Sequence, residues 1–121
     1  MALSDVKVLT ISDVNAADDD RLVTAARPDT SATMANTTHA GGQARNVTVT
    51  TTGTGDNAKT CTITGTDVFG DAMTEVITST SSAETVAGTK YFKTVTAVEC
   101  SEQYAANLKV GSGSLCAQAV N

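Results

Sequence analysis

Residues Asn46-Val47-Thr48-Val49-Thr50-Thr51-Thr52, then Gly53-Thr54-Gly55-Asp56-Asn57, then Thr60-Cys61-Thr62-Ile63-Thr64 decide the fold class. Apolar and hydroxyl residues alternate with a period of two on either side of a cluster of turn-formers. Successive side chains of a strand point to opposite faces, so Cys61 and Ile63 share one face and three threonines the other. β-branched residues are stiff at χ1 and suit an extended backbone. The two runs read as strands of a hairpin.

Working toward the C-terminus, the same grammar repeats. Gly65 to Asp71 is a turn, and Ala72-Met73-Thr74-Glu75-Val76-Ile77-Thr78 a third strand with mixed faces, suited to partial cover on both sides. Thr78 to Gly88 reads as a polar loop. Lys90 to Val98 reads as a fourth strand, Asn107 to Gly111 as a fifth and Leu115 to Val120 as a sixth, with Gly111 to Ser114 as a bend between these last two. Short strands separated by turns favour an all-β fold, an antiparallel β-sandwich or small β-barrel, over a parallel α/β sheet. The expected core is Val47, Val49, Ile63, Phe69, Met73, Ile77, Phe92, Val95, Leu108 and Val110.

Toward the N-terminus the grammar changes. Val6, Val8, Leu9 and Ile11 suggest one short strand, and Ser12 to Arg45 is rich in Asp, Ala, Thr, Asn and Gly, with Val14, Leu22, Val23 and Met34 as its few apolar anchors. Asp18-Asp19-Asp20 could open a short helix over residues 21–26 that Pro28 would end. An extended arm over residues 12–45, ordered by a neighbouring subunit, reads equally well. The chain thus divides into a strand and extended N-terminal arm, residues 1–45, and a sandwich or barrel body, residues 46–121, with Gly41-Gly42 as the joint. On this reading a body lacking residues 1–45 folds alone.

The chain has 121 residues, a net charge of -5, an aromatic fraction of 3% and no tryptophan. One domain with a thin aliphatic core follows, for which help from partner subunits is expected. Scattered Lys and Arg disfavour nucleic acid and anionic membranes, and no run approaches the ~20 apolar residues of a spanning helix. Residues 1–11 show no basic segment followed by an apolar one, so synthesis in a reducing cytoplasm is expected. Cys61, Cys100 and Cys116 then read as free thiols, mostly buried. Asn36-Thr37-Thr38 and Asn46-Val47-Thr48 match the glycosylation pattern and read as coincidences of a Thr-rich chain.

Convergent chemistry is not visible. His39 is the single histidine, in a polar segment, and reads as an exposed or interface residue. His39 with the three cysteines has no usual zinc spacing. Asp18 to Asp20, Asp56, Asn57, Asp67 and Asp71 lack calcium-loop spacing and read as turn residues. Glu75, Glu84, Glu99 and Glu102 could supply a carboxylate pair, but Phe69, Tyr91, Phe92 and Tyr104 are few aromatics for a sugar site. No catalytic, cofactor-binding or metal-binding residue is assigned, and no enzymatic activity is expected.

Ile63-Thr64-Gly65-Thr66-Asp67-Val68-Phe69-Gly70-Asp71-Ala72-Met73-Thr74-Glu75 and Gly88-Thr89-Lys90-Tyr91-Phe92-Lys93-Thr94-Val95-Thr96 resemble two blocks of small, β-rich virion proteins of tailed bacteriophages. With the segment Ala106 to Gly111, the resemblance covers roughly residues 46–113. It implies a structural role, foremost a capsid decoration (cement) protein that binds the major capsid protein on the outer surface of the head. It also implies a homo-oligomer, with a trimer at local threefold positions as the expectation. The alternatives are a tail, neck or fibre-associated virion protein, and a carbohydrate-binding or host-adhesion module.

Overall fold

A computed structural model describes residues 17–80 and 82–117. Among the described residues seven strands form: β1 (Asp18–Ala26), β2 (Ala44–Thr51), β3 (Thr60–Thr66), β4 (Ala72–Thr78), β5 (Thr85–Phe92), β6 (Thr94–Cys100) and β7 (Leu108–Ala117). They make two antiparallel sheets, a four-stranded one in the order β1-β7-β2-β5 and a three-stranded one in the order β4-β3-β6. The fold is all-β and sandwich-like, and among the described residues the sheets do not close into a barrel. Leu22, Val23, Val47, Val49, Cys61, Ile63, Ile77, Phe92, Val95, Val98, Tyr104, Leu108 and Val110 form one buried cluster between the sheets.

Several sequence expectations are corrected by the pairing. β2 and β3 are not a hairpin: β2 pairs with β5 and β7, and β3 with β4 and β6. The connection between them crosses from sheet to sheet, held by buried Asp56, whose carboxylate accepts the Ala105 amide at 2.7 Å and pairs with Lys59 at 2.9 Å. The run Lys90 to Val98 is two strands, because the chain leaves one sheet at Phe92 and enters the other at Thr94. An unbroken β-branched and aromatic run does not reveal such a corner, since strands on both sides bury alternate residues. Thr85 to Gly88 belongs to β5, not to a loop, and β7 runs without interruption through Gly111 to Ser114. The expected strand near residues 6–11 lies outside the described residues.

The N-terminal region is corrected as well. Residues 18–26 are neither helix nor separate arm but strand β1, with Leu22 and Val23 fully buried in the common core. Residues 27–38 are extended, yet they lie along the chain's own body. Toward β1, the Ala35 amide donates to the Leu22 carbonyl (2.7 Å) and Asn36 Nδ2 to the Arg21 carbonyl (2.9 Å). Toward β6, the Ala32 amide donates to Val98 (3.0 Å), while Cys100 and Val95 donate to Thr30 (2.7 Å) and Thr37 (2.8 Å). This strap therefore closes one side of the sandwich and supplies the β6 edge with backbone partners.

The opposite side, between β4 and β5, is closed by one carboxylate together with Lys90, whose Nζ donates to the Thr74 carbonyl at 2.7 Å. Glu75 on β4 accepts the Thr89 amide at 2.7 Å and the Lys90 amide at 3.2 Å. Those amides are free because β5 bulges: Asn46 pairs with Tyr91 but Thr48 with Ala87, leaving three residues of β5 opposite one of β2. β7 does the same on the other flank, where Arg45 pairs with Cys116 and Val47 with Ser112. Asn46 serves both bulges, its Nδ2 donating to the Gly88 carbonyl (3.2 Å) and its Oδ1 accepting the Leu115 amide (3.0 Å). Two glycines leave room for these contacts: a Cβ on Gly88 would meet Glu75 Oε1 at 2.5 Å, and one on Gly113 would meet Asn46 Oδ1 at 2.2 Å.

Of the expected core, Phe69 is the exception. It is 69% exposed on the β3–β4 turn, where its amide and that of Asp71 donate to Asp67 Oδ1 at 2.8 and 3.0 Å. The turn's hydrogen bonding, with Gly70 at φ +86°, fixes the backbone and points the ring outward. Met73 is partly buried against the core.

Asn46→Ala leaves the buried Gly88 carbonyl and Leu115 amide unpartnered, and is expected to cost about 2–4 kcal/mol in urea unfolding, with an unchanged m-value. Deletion of residues 1–45 removes β1, the strap and the start of β2. That truncated chain is expected to lose its cooperative thermal transition, measured by circular dichroism.

Candidate assembly surface

β3 carries Thr60, Thr62, Thr64 and Thr66 on one face and Cys61, Ile63 and Gly65 on the buried one. β4 follows the same period, with Ala72, Thr74, Val76 and Thr78 exposed. Register places Thr60 opposite Thr78, Thr62 opposite Val76, Thr64 opposite Thr74, and, on the other flank, Thr66 opposite Thr94. The outer face of β3 and β4 is therefore a threonine field without charge, bordered on β6 by the exposed Glu99 opposite Thr62. Stiff, short side chains in cross-strand pairs order this face at little entropic cost. Several hydroxyls are already engaged: Thr66 meets Thr94 at 2.6 Å, and Thr96 donates to the Thr64 carbonyl at 3.2 Å. Val76 is 58% exposed within the field, and among the described residues β3 is the one sheet neighbour of β4.

Gly65 lets this sheet form. A Cβ there would lie 1.9 Å from the Thr94 carbonyl oxygen, at the point where the β3–β6 register shifts. The residues of the two resembling blocks meet here physically. The first builds β3, its turn and β4; the second builds the end of β5 and the start of β6; the Glu75 contact with Thr89 and Lys90 joins them.

The residues weighed for catalysis or metal binding are placed apart. Glu84 accepts the Thr80 hydroxyl, Glu99 accepts the Ser31 hydroxyl at 2.8 Å through both oxygens, Glu75 holds β5, and Glu102 is exposed. Asp67 caps a turn and Asp56 anchors a crossing loop. Asp18, Asp19 and Asp20 bring carboxylates close together at the start of β1, where Asp19 pairs with Lys109 at 2.7 Å. Hydrogen bonding from Asp18 and partial desolvation raise the Asp20 carboxyl above its ordinary value. A groove of about 390 Å³ lies among Gly41, Gly42, Gln43, Val68, Lys93 and Ala117, with the Lys93 ammonium donating to the Gly42 carbonyl at 2.6 Å.

His39 is corrected: it is buried, not exposed. Its Nδ1 lies 2.6 Å from Ser112 Oγ, and the buried guanidinium of Arg45, whose Nε donates to the Gly113 carbonyl at 2.9 Å, lies in the same polar cluster. Desolvation, reinforced by the positive charge of Arg45, lowers its pKa from 6.5 to about 4. The signal was non-local, since Ser112 is 73 residues away in sequence. Asn46 of the second glycosylation pattern is buried with both amide atoms bonded, so that site has no room for a glycan.

The fold keeps His39 neutral while an unfolded chain protonates it below pH 6.5, so the unfolded state binds more protons between about pH 6.5 and 4. Stability is fully present above that window and is lost as pH falls through it, by about 3 kcal/mol in all. Urea midpoints at a series of pH values are expected to show this fall in the parent and a shallower one in His39→Gln.

No family model, curated protein or solved structure matches this chain. The functional reading rests on the surface and its chemistry.

Proposed function

We propose that this chain is a structural subunit of a tailed-bacteriophage virion, a capsid decoration protein that docks on the major capsid protein through the outer face of its three-stranded sheet. The observation that carries the reading is the threonine field on β3 and β4. Burying uncharged threonine hydroxyls costs far less than burying Lys or Glu, so a face of this kind suits assembly. Many copies on one shell would convert modest single contacts into a durable clamp through multivalency. The resemblance of residues 63–75 and 88–96 to blocks of phage virion proteins points the same way, and it is those blocks that build the face and the clasp behind it.

The test is co-sedimentation of the purified protein with expanded empty capsids of a parent phage, quantified against the major capsid protein. Saturable binding at a fixed ratio is expected. Val76→Lys, a surface change expected to leave stability within about 0.5 kcal/mol, should weaken that binding at least about tenfold. Rings or tubes of the protein alone, with no capsid binding, would favour a tail subunit instead.

A further inference from the structure

Cys61 and Cys100 are directly opposed on β3 and β6. Their Sγ atoms are 3.7 Å apart, and both residues are buried. Backbone bonding identifies the kind of pair they form. The Ser101 amide donates inward to the Thr60 carbonyl at 2.9 Å, whereas the Cys100 amide points away from β3, to Thr30 at 2.7 Å. Cys61 and Cys100 therefore occupy a non-hydrogen-bonded position of the ladder, where Cα atoms approach to about 4.5 Å. That separation lies inside the range a disulfide spans, and closing the sulfurs to about 2.05 Å requires only small side-chain rotations. Cys116 is excluded from the pair: it lies on β7 in the other sheet, opposite Arg45.

We propose that Cys61 and Cys100 form a built disulfide site, a cross-strand staple between β3 and β6 that closes when a low-molecular-weight disulfide oxidant reaches the pair during folding. The attacking group is Cys61. Its sulfur lies in hydrogen-bonding contact with the Cys100 thiol and, at 3.4 Å, with the Tyr104 hydroxyl; these contacts hold its pKa below the ordinary thiol value, while the contact with Cys61 and burial push Cys100 up. Tyr104 is itself positioned by Ser79 Oγ at 3.0 Å. In the first step the Cys61 thiolate attacks one sulfur of the oxidant, forming a mixed disulfide and releasing one small thiolate. In the second, Cys100 loses its proton and attacks the Cys61 sulfur, releasing the second small thiolate. The two protein thiols are oxidised by two electrons, the oxidant is reduced to two thiols, and the two protons pass to the leaving thiolates. The staple tethers the strand at the centre of the three-stranded sheet to the strand beneath the N-terminal strap, and it does not depend on the proposed capsid role.

The experiment uses the full chain, unfolded and reduced, then refolded in a buffer of reduced glutathione and glutathione disulfide, and finally alkylated in denaturant. Expected are a mass lower by two hydrogens before alkylation, a single alkylated residue at Cys116, and a proteolytic fragment joining Cys61 to Cys100. Cys116→Ser is expected to leave no alkylated residue. The closed loop is long, so the oxidised protein is expected to melt about 10 °C or more above the reduced one. Three alkylated cysteines after oxidative refolding, a linkage through Cys116, or a Cys61–Cys100 bond that lowers the melting temperature would each overturn the proposal.

Discussion

The side-chain amide of Asn46 is the constraint on which the four-stranded sheet depends. β2 lies between two strands that each carry two extra residues at nearly the same level, β5 at 88–90 and β7 at 113–115. A double bulge strips backbone partners from both flanks at once and would be costly in a buried sheet. A single amide, with one donor and one acceptor end in use, meets both needs, and only glycine at positions 88 and 113 admits it. The bulge in β5 in turn turns the amides of Thr89 and Lys90 outward to Glu75. The sheet's irregularity is thus what ties it to the other sheet.

The two sides of the sandwich are closed by unlike means for a reason of topology. On the β1–β6 side the chain has a spare stretch, residues 27–38, which bonds to both strands through backbone and side-chain groups. On the β4–β5 side the short connection 79–84 leaves no spare strand, and the Glu75 carboxylate with the Lys90 ammonium substitutes for one. Polar groups carry much of the order in a chain with four aromatics. His39, Arg45, Asn46, Asp56 and Ser112 are all buried, and each specifies a contact that Val or Leu could not.

The sequence was legible wherever the determinant was local. Thr60 to Thr66 announces its strand and faces through a period of two, and Ala72 to Thr78 its strand through the Asp67–Gly70 turn before it, but the latter's outer face is exposed throughout and not partly covered as its mixed pattern suggests. It was illegible wherever the determinant was a partner far along the chain. The corner at Lys93 lies inside an uninterrupted β-favouring run; β2 and β3 look like a hairpin because both alternate and a turn-rich segment separates them. β1 looked like an arm because Asp18 to Asp20 and the alanines mask Leu22 and Val23, which are buried only once β7 pairs beside them. The cysteines are free, with Cys61 and Cys100 buried as expected, but their juxtaposition was hidden because it arises through strand register alone, and His39 appeared exposed because its cover comes from β7.

The same logic separates the parts of the surface that are finished from the part that is open. An unprotected edge invites unspecific strand addition, and β6 escapes it beneath the strap. β4 is guarded differently: it is short, Lys90 Nζ donates to the outward Thr74 carbonyl at 2.7 Å, and Glu75 anchors it inward. Those groups blunt the edge without covering the face, so Val76 and its flanking threonines stay accessible while the backbone beside them is partly occupied. Phe69, at the end of the same hairpin, adds exposed apolar surface on a turn that Asp67 holds rigid. The fold therefore presents on β3 and β4 a surface of fixed relief, uncharged at its outward positions and set by the strand register rather than by ion pairs.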